Sequence, residues 1–212
     1  MNWKLIRNTL NERYQETGDA RALYVSRRVN RYLKKKNRAE RNSRVRNILP
    51  ENITQFQMFM KAIREDKHIL AIDAEWSPWK PITEIGVYDY RAKQCHNIRL
   101  TQKGGDGFRH GETVRMNKAL AKQWLHDTLN GVDMVIGHAF KNDLRQFAQW
   151  GFNFPKVRIV DTALWSKALF PPNEVSLVKL ADQYGIDRRG SHCAGNDAHV
   201  TLLVALAMAG LR

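Results

Sequence analysis

The stretch "ILAIDAEW" at residues 69–76 constrains the fold more than any other part of this chain. Ile69, Leu70, Ala71 and Ile72 form the continuous apolar run of a buried strand, and two carboxylates, Asp73 and Glu75, close it. Side chains of a strand alternate between its faces, so residues two apart project together. Asp73 and Glu75 are therefore expected side by side, like charge beside like charge. Such a pair is costly unless something positive lies between, and a divalent metal ion is the usual answer.

The rest of the chain supplies partners for that strand. Short apolar runs predict strands near 69–75, 82–90 and 95–100, followed by a Gly-rich loop, "KGGDGFRHG", and a helix near 115–129. A strand near 132–138, a helix near 141–150 and a strand near 157–161 come next, then helices near 162–168, 176–184 and 195–209. Three meandering strands followed by alternating helix and strand make an α/β protein with a mixed five-stranded sheet flanked by helices. "ITQFQMFMKAIRED" reads as a helix before the first strand, with Phe56, Phe59, Met60 and Ile63 turned to the core.

Charge divides the chain in two. Residues 1–50 hold 14 Lys and Arg against four Asp and Glu, a net of +10 out of the +14 carried by all 212 residues. The spacing of Leu23, Val25, Val29, Tyr32 and Leu33 is roughly helical, and Pro50 marks the end of the block. We therefore expect a basic helical extension over 1–50 and a globular domain over 51–212. The densest part, with Lys34, Lys35, Lys36 and Arg38, suits a polyanion such as RNA or DNA. A solvated charged helix is the alternative reading.

No apolar run reaches the length of a membrane span, so no membrane partner is expected. Cys95 and Cys193 are far apart and form no zinc-knuckle spacing, which suits a reducing interior. "MNWKLIRNTLNERY" alternates basic and apolar residues as a mitochondrial presequence does, yet Glu12, Glu16 and Asp19 are unusual for one. The expected address is intracellular, with mitochondrial, nuclear and cytosolic compartments open and no secretory signal.

Four segments carry the chemistry. "AIDAEW" holds Asp73 and Glu75; "VIGHAFKNDLRQF" places Asp143 in the first turn of a helix; "VDTALW" and "SLVKLADQYGI" follow; and "SHCAGNDAHV" sets His192 five residues before Asp197. Together with "TEIGV" these resemble the DEDDh family of 3′–5′ exonucleases, which share the ribonuclease-H-like fold. The resemblance covers about residues 68–210, with the motifs in order and in spacing. The His-x-x-x-x-Asp spacing favours the histidine subgroup, and "FRHGE" looks most like a fungal branch whose substrates are poorly assigned.

The resemblance implies two divalent ions, Mg²⁺ or Mn²⁺, with Asp73 bridging both. Glu75 and Asp197 would complete the first ion's site, Asp143 would hold the second, and His192 would be the general base. Taken singly, each is unremarkable: Asp143 and Asp197 suit the first turn of any helix, and His192 could be a surface histidine. Trp76 stands where the family commonly has a small hydroxyl residue, which implies an indole that stacks on or wedges against the last base. Trp79 could share that role or simply pack, and Lys80, Arg109 and Lys141 are candidate phosphate contacts.

His138 and His199 are read as structural. Cys193 has no reason to be a nucleophile. The implied activity is stepwise hydrolysis of single-stranded nucleic acid, RNA slightly ahead of DNA on account of the basic extension. A nucleic-acid-binding or assembly protein that uses the same fold as a scaffold is the competing class, and residues 1–50 could dock either kind of protein onto a larger RNA–protein assembly.

Overall fold

Asp89, Val87, Ile85 and Glu84 run back antiparallel along Leu70, Ile72, Ala74 and Glu75, so the sheet grows outward from the "ILAIDAEW" strand as its apolar run predicts. The computed structural model describes residue 15 and residues 49–77, 80–101, 107–169 and 175–212. The basic block, including Lys34, Lys35, Lys36 and Arg38, lies outside the described residues, as do Trp79 and residues 102–106 of the Gly-rich loop.

The described elements are α1 (Leu49–Arg64), β1 (Ile69–Ser77), β2 (Lys80–Asp89), β3 (Gln94–Arg99), β4 (Thr113–Arg115), α2 (Lys118–Leu129) and β5 (Met134–Gly137). They continue with α3 (Lys141–Gln149), β6 (Arg158–Asp161), α4 (Thr162–Leu169), α5 (Leu177–Gln183) and α6 (Ala194–Met208). The strands form one six-stranded mixed sheet in the order β4-β3-β2-β1-β5-β6. β1, β2 and β3 are antiparallel neighbours, while β4 joins β3, β5 joins β1 and β6 joins β5 in parallel.

The sheet thus has one strand more than the five expected. The addition is β4, where Asn97, Ile98 and Arg99 pair with Thr113, Val114 and Arg115. Three residues are too few to show an alternation, and the segment reads as loop from sequence. The following helix correspondingly starts at Lys118, where the Asn117 side chain accepts a hydrogen bond from the Leu120 amide. Pro50 falls in the first turn of α1, where a missing N–H costs nothing.

β1 separates two apolar layers, which is why its run is apolar without a break. Ile69 and Ala71 pack with α1, α4, α5 and α6, including Phe59, Trp165 and Leu202. Leu70, Ile72 and Ala74 pack with α2 and α3, including Leu125 and Phe147. Phe56 and Phe59 of α1 meet the Trp165 ring at centroid distances of 5.6 and 5.2 Å, so these aromatics are core contacts. Among the described residues no helix is long and apolar enough to cross a membrane.

Candidate active site

Asp73 and Glu75 stand in the second half of β1 on the face that carries α6, opposite Gly86 and Glu84 of β2. Pairing of β1 with β5 stops at Ala71, three residues before Ala74. The Ala74 amide, between the two acids, is taken up instead by Asp143, whose Oδ1 accepts it at 3.2 Å. Asp143 is 3% exposed in the first turn of α3, and its carboxylate is thereby drawn to the end of β1.

The turn that aims α3 is built by "DT". The Asp161 carboxylate accepts from the amides of Ala139 (2.8 Å), Phe140 (2.9 Å) and Ala163 (2.9 Å), holding Ala139 at a φ of +54°. The Thr162 hydroxyl donates to the Gly137 carbonyl at 3.0 Å, so the His138 Nδ1–H, 2.9 Å away, donates to Thr162 in turn. Burial pushes the His138 imidazole down to about 4. His138 is thus committed to the strand end.

Asp197 and His192 arrive with the N-terminus of α6, and three side chains from β2 and β3 dock it. Glu84 Oε1 accepts from the Ala194 amide at 3.0 Å, Asn97 Oδ1 accepts from the Gly195 amide at 2.9 Å, and the Cys95 thiol donates to the Gly195 carbonyl at 3.1 Å. Gly86 makes the approach possible: a Cβ there would lie 1.9 Å from the Ala194 carbonyl oxygen. Asp197 Oδ2 then accepts from the His192 amide at 2.9 Å, which ties the histidine, at a φ of +67°, to the acid five residues on.

The result is a cluster of acids, Asp143 buried and Asp73, Glu75 and Asp197 half-buried. Burial, then Asp143, Asp197, Glu75 and Glu84, push the Asp73 carboxyl well above the usual carboxylate range. Burial raises Asp143 to about 7. Glu75 is raised by burial and by Asp197, and Asp197 mainly by burial. Glu75, His192 and Asp197 each offer a ligating atom within 4.8 Å of the other two. Oxygen donors set like charge beside like charge, with one imidazole beside them, fit a hard divalent ion.

Other candidates take different places. Trp76 is part-buried against the layer of α2 and α3, on the alternate face of β1 from Asp73. Lys141 and Arg109 are exposed, at the start of α3 and on the loop before β4. His199 stacks on Tyr88 at 4.4 Å, and its Nδ1 lies 2.9 Å from His110 Nε2. The Cys193 thiol is pushed up to about 12, chiefly by burial, and remains protonated, so it is no nucleophile.

Sequence reasoning missed the residues that hold this site in place, namely Glu84, Asn97, Asp161 and Asn196. Glu84 had a signal, since an acid inside the apolar "ITEIGV" strand must find a buried partner. That partner is Arg99, whose Nε and terminal nitrogen reach Glu84 Oε2 at 3.0 and 2.8 Å.

The sequence matches the family model for the DNA polymerase III subunit epsilon-like C-terminal domain, DEDDh_C, over residues 90–208, beginning after Asp73 and Glu75. An uncharacterized nucleolar protein, C2C4.08, of Schizosaccharomyces pombe is 25% identical over 168 residues, covering 73% of this chain. This chain spans 65% of that relative's length. Among solved structures, the Pan2 catalytic unit of Neurospora crassa, a protease and nuclease domain, aligns over 66% of this chain and 26% of its own. It does so at 16% identity with a TM-score of 0.51, which bears out the ribonuclease-H-like fold. The EXD2 exonuclease domain soaked in Mn and dGMP aligns over 73% of this chain and 83% of its own, at 19% identity and a TM-score of 0.31. With more than half of its length inside the family model and the family's sheet and helices beneath it, this chain belongs to the DEDDh exonuclease family.

Proposed function

We propose that this protein is a metal-dependent 3′–5′ exonuclease that removes nucleotides one at a time from single-stranded nucleic acid, RNA ahead of DNA. The observation that carries the reading is the meeting of Glu75, His192 and Asp197 within 4.8 Å, beside the carboxylates of half-buried Asp73 and buried Asp143. Asp73, Glu75, Asp143 and Asp197 would hold two divalent ions, Mg²⁺ or Mn²⁺. Those ions, when bound, lower the cost of forming an attacking hydroxide and of expelling an oxyanion.

The chain's own residues do the rest. His192, exposed on its turn, accepts the proton of the water that attacks the terminal phosphodiester. The bond from phosphorus to the preceding 3′ oxygen breaks, and a nucleoside 5′-monophosphate leaves. Asp197 keeps His192 beside the attacking water through its bond to the His192 amide.

We further propose that residues 1–50, with Lys34, Lys35, Lys36 and Arg38, form a basic helical extension that grips the strand beyond the catalytic domain of 51–212 or docks the enzyme onto a larger RNA–protein assembly. A nuclear address is supported by the name of the fission-yeast relative, a nucleolar protein.

The test is a time course on end-labelled single-stranded RNA and DNA of matched sequence with Mg²⁺, Mn²⁺ or EDTA, for wild type and Asp73→Ala. A 5′-labelled ladder that shortens stepwise with metal and vanishes with EDTA or in the variant is expected. Intact strands with either metal, alongside a salt-sensitive mobility shift for both proteins, would replace the nuclease with a binding protein.

A further inference from the structure

Asn196 is 2% exposed and sits where three segments cross. Its Oδ1 accepts from the Arg109 amide at 3.1 Å. Its Nδ2 donates to the Gly107 carbonyl and to the Gly190 carbonyl, both at 2.8 Å. Both donors of the side-chain amide are therefore spent on two carbonyls that belong to different loops. The crossing is so close that a Cβ on Gly190 would lie 2.5 Å from Asn196 Nδ2 and 2.8 Å from the Gly107 oxygen.

The loop on one side of this crossing is the one that ends at His192. Gly190 and His192 both have left-handed backbone, with φ of +80° and +67°. For a non-glycine residue that conformation persists only where the surroundings impose it. Two ties to α6 impose it here: the His192 amide to Asp197, and the Gly190 carbonyl to Asn196. Without the second tie, the Gly190 and Gly107 carbonyls lose the one donor group they share, and nothing in the side chain then holds the two loops together.

We propose that Asn196 is a positioning residue that sets where His192 stands, by clasping the Gly190 turn and the Gly107–Arg109 segment to the first turn of α6. Asn196 touches no reacting atom. The clasp fixes the turn from behind, and the ring of His192 inherits its position from that turn. This inference rests on the reading of His192 as the general base.

The experiment compares wild type, Asn196→Ala, His192→Ala and the double variant on a single-stranded oligonucleotide with Mn²⁺, beside histidine-ring NMR spectra of the metal-free proteins. Asn196→Ala is expected to lower kcat about 10²-fold with KM within a few-fold of wild type, and to add no more than a few-fold to the loss already caused by His192→Ala. The His192 ring resonances should move, while those of His138, held by Thr162, stay. Should Asn196→Ala not fold, Asn196→Asp serves, since it keeps the acceptor for Arg109 and loses both donors. Additive losses in the double variant, or His192 resonances that coincide with wild type, would overturn the proposal. If wild type degrades no strand, the exonuclease reading fails by itself, and the ring resonances alone decide the clasp.

Discussion

Glu84 lies directly across the β1–β2 ladder from Glu75, yet its carboxylate is turned to Arg99 and to the Ala194 amide at the start of α6. One of two facing acids is left for the site, and the other is consumed in building it. Glu84 and Arg99 are both nearly inaccessible, at 6% each, so neither partner has water to fall back on.

Removing one partner of a buried ion pair strands the other, at a cost of about 3–5 kcal/mol. Glu84→Ala is expected to lose stability on that scale and to loosen α6, while Glu84→Gln, which keeps an acceptor for Ala194, loses less. Urea denaturation read by far-UV circular dichroism measures both. Midpoints unchanged in Glu84→Ala would mean that Asn97 and packing suffice to hold α6.

Gly86→Ala tests how closely the same helix approaches. The added methyl meets the Ala194 carbonyl oxygen at 1.9 Å and the Gly195 nitrogen at 2.3 Å, both backbone atoms that cannot rotate away. Displacement of α6 carries Asp197 with it, so Mn²⁺ affinity should fall together with stability, by about 1–3 kcal/mol for the latter. Calorimetric titration with Mn²⁺ that matches wild type would show that the sheet yields instead of the helix.

Asp161 should behave as a structural acid whose effect reaches the site through α3. Asp161→Asn removes an acceptor from a carboxylate that serves three amides, leaving at least one buried N–H unpartnered, at about 1–3 kcal/mol. Amide hydrogen exchange at Ala139 and Phe140 should accelerate in the variant. Exchange as slow as in wild type would locate the hold on this turn in Thr162 instead.

The acids make the metal-free protein sensitive to pH. Asp143, raised from 3.8 to about 7, binds its proton more tightly folded than unfolded, so its contribution is full below about pH 4 and is lost as pH rises through 7. Asp73, Glu75 and Asp197 act in the same direction. His138 and His199, both lowered to about 4, oppose them, favouring the fold as pH rises from 4 to 6.5. Comparing wild type with Asp143→Asn isolates the acid: the Tm of wild type relative to the variant should fall between pH 4 and 7 in EDTA, and saturating Mg²⁺ should remove most of that fall. A constant difference in Tm across this range would show that Asp143 stays ionised without metal.

What local chemistry could determine was legible in the sequence. Strand alternation places Asp73 and Glu75 on one face whatever surrounds them, and the unbroken run from Ile69 to Ile72 requires a layer on each side. The apolar spacing of α1 likewise turns Phe56 and Phe59 inward, and the first-turn positions of Asp143 and Asp197 follow from where their helices begin. β4 was not legible, because three residues have no periodicity and pair only when β3 is already in place. Nor were Glu84–Arg99, Asp161 and Asn196, since a polar side chain does not declare its partner until the partner's segment is folded against it. Asn196 and Gly107 lie 89 residues apart, and Glu84 and Ala194 lie 110 apart. Periodicity is a short-range property that assigns faces; bringing β1, α3 and α6 to one point depends on sheet order and on how closely a helix can approach a strand, and those belong to the tertiary structure.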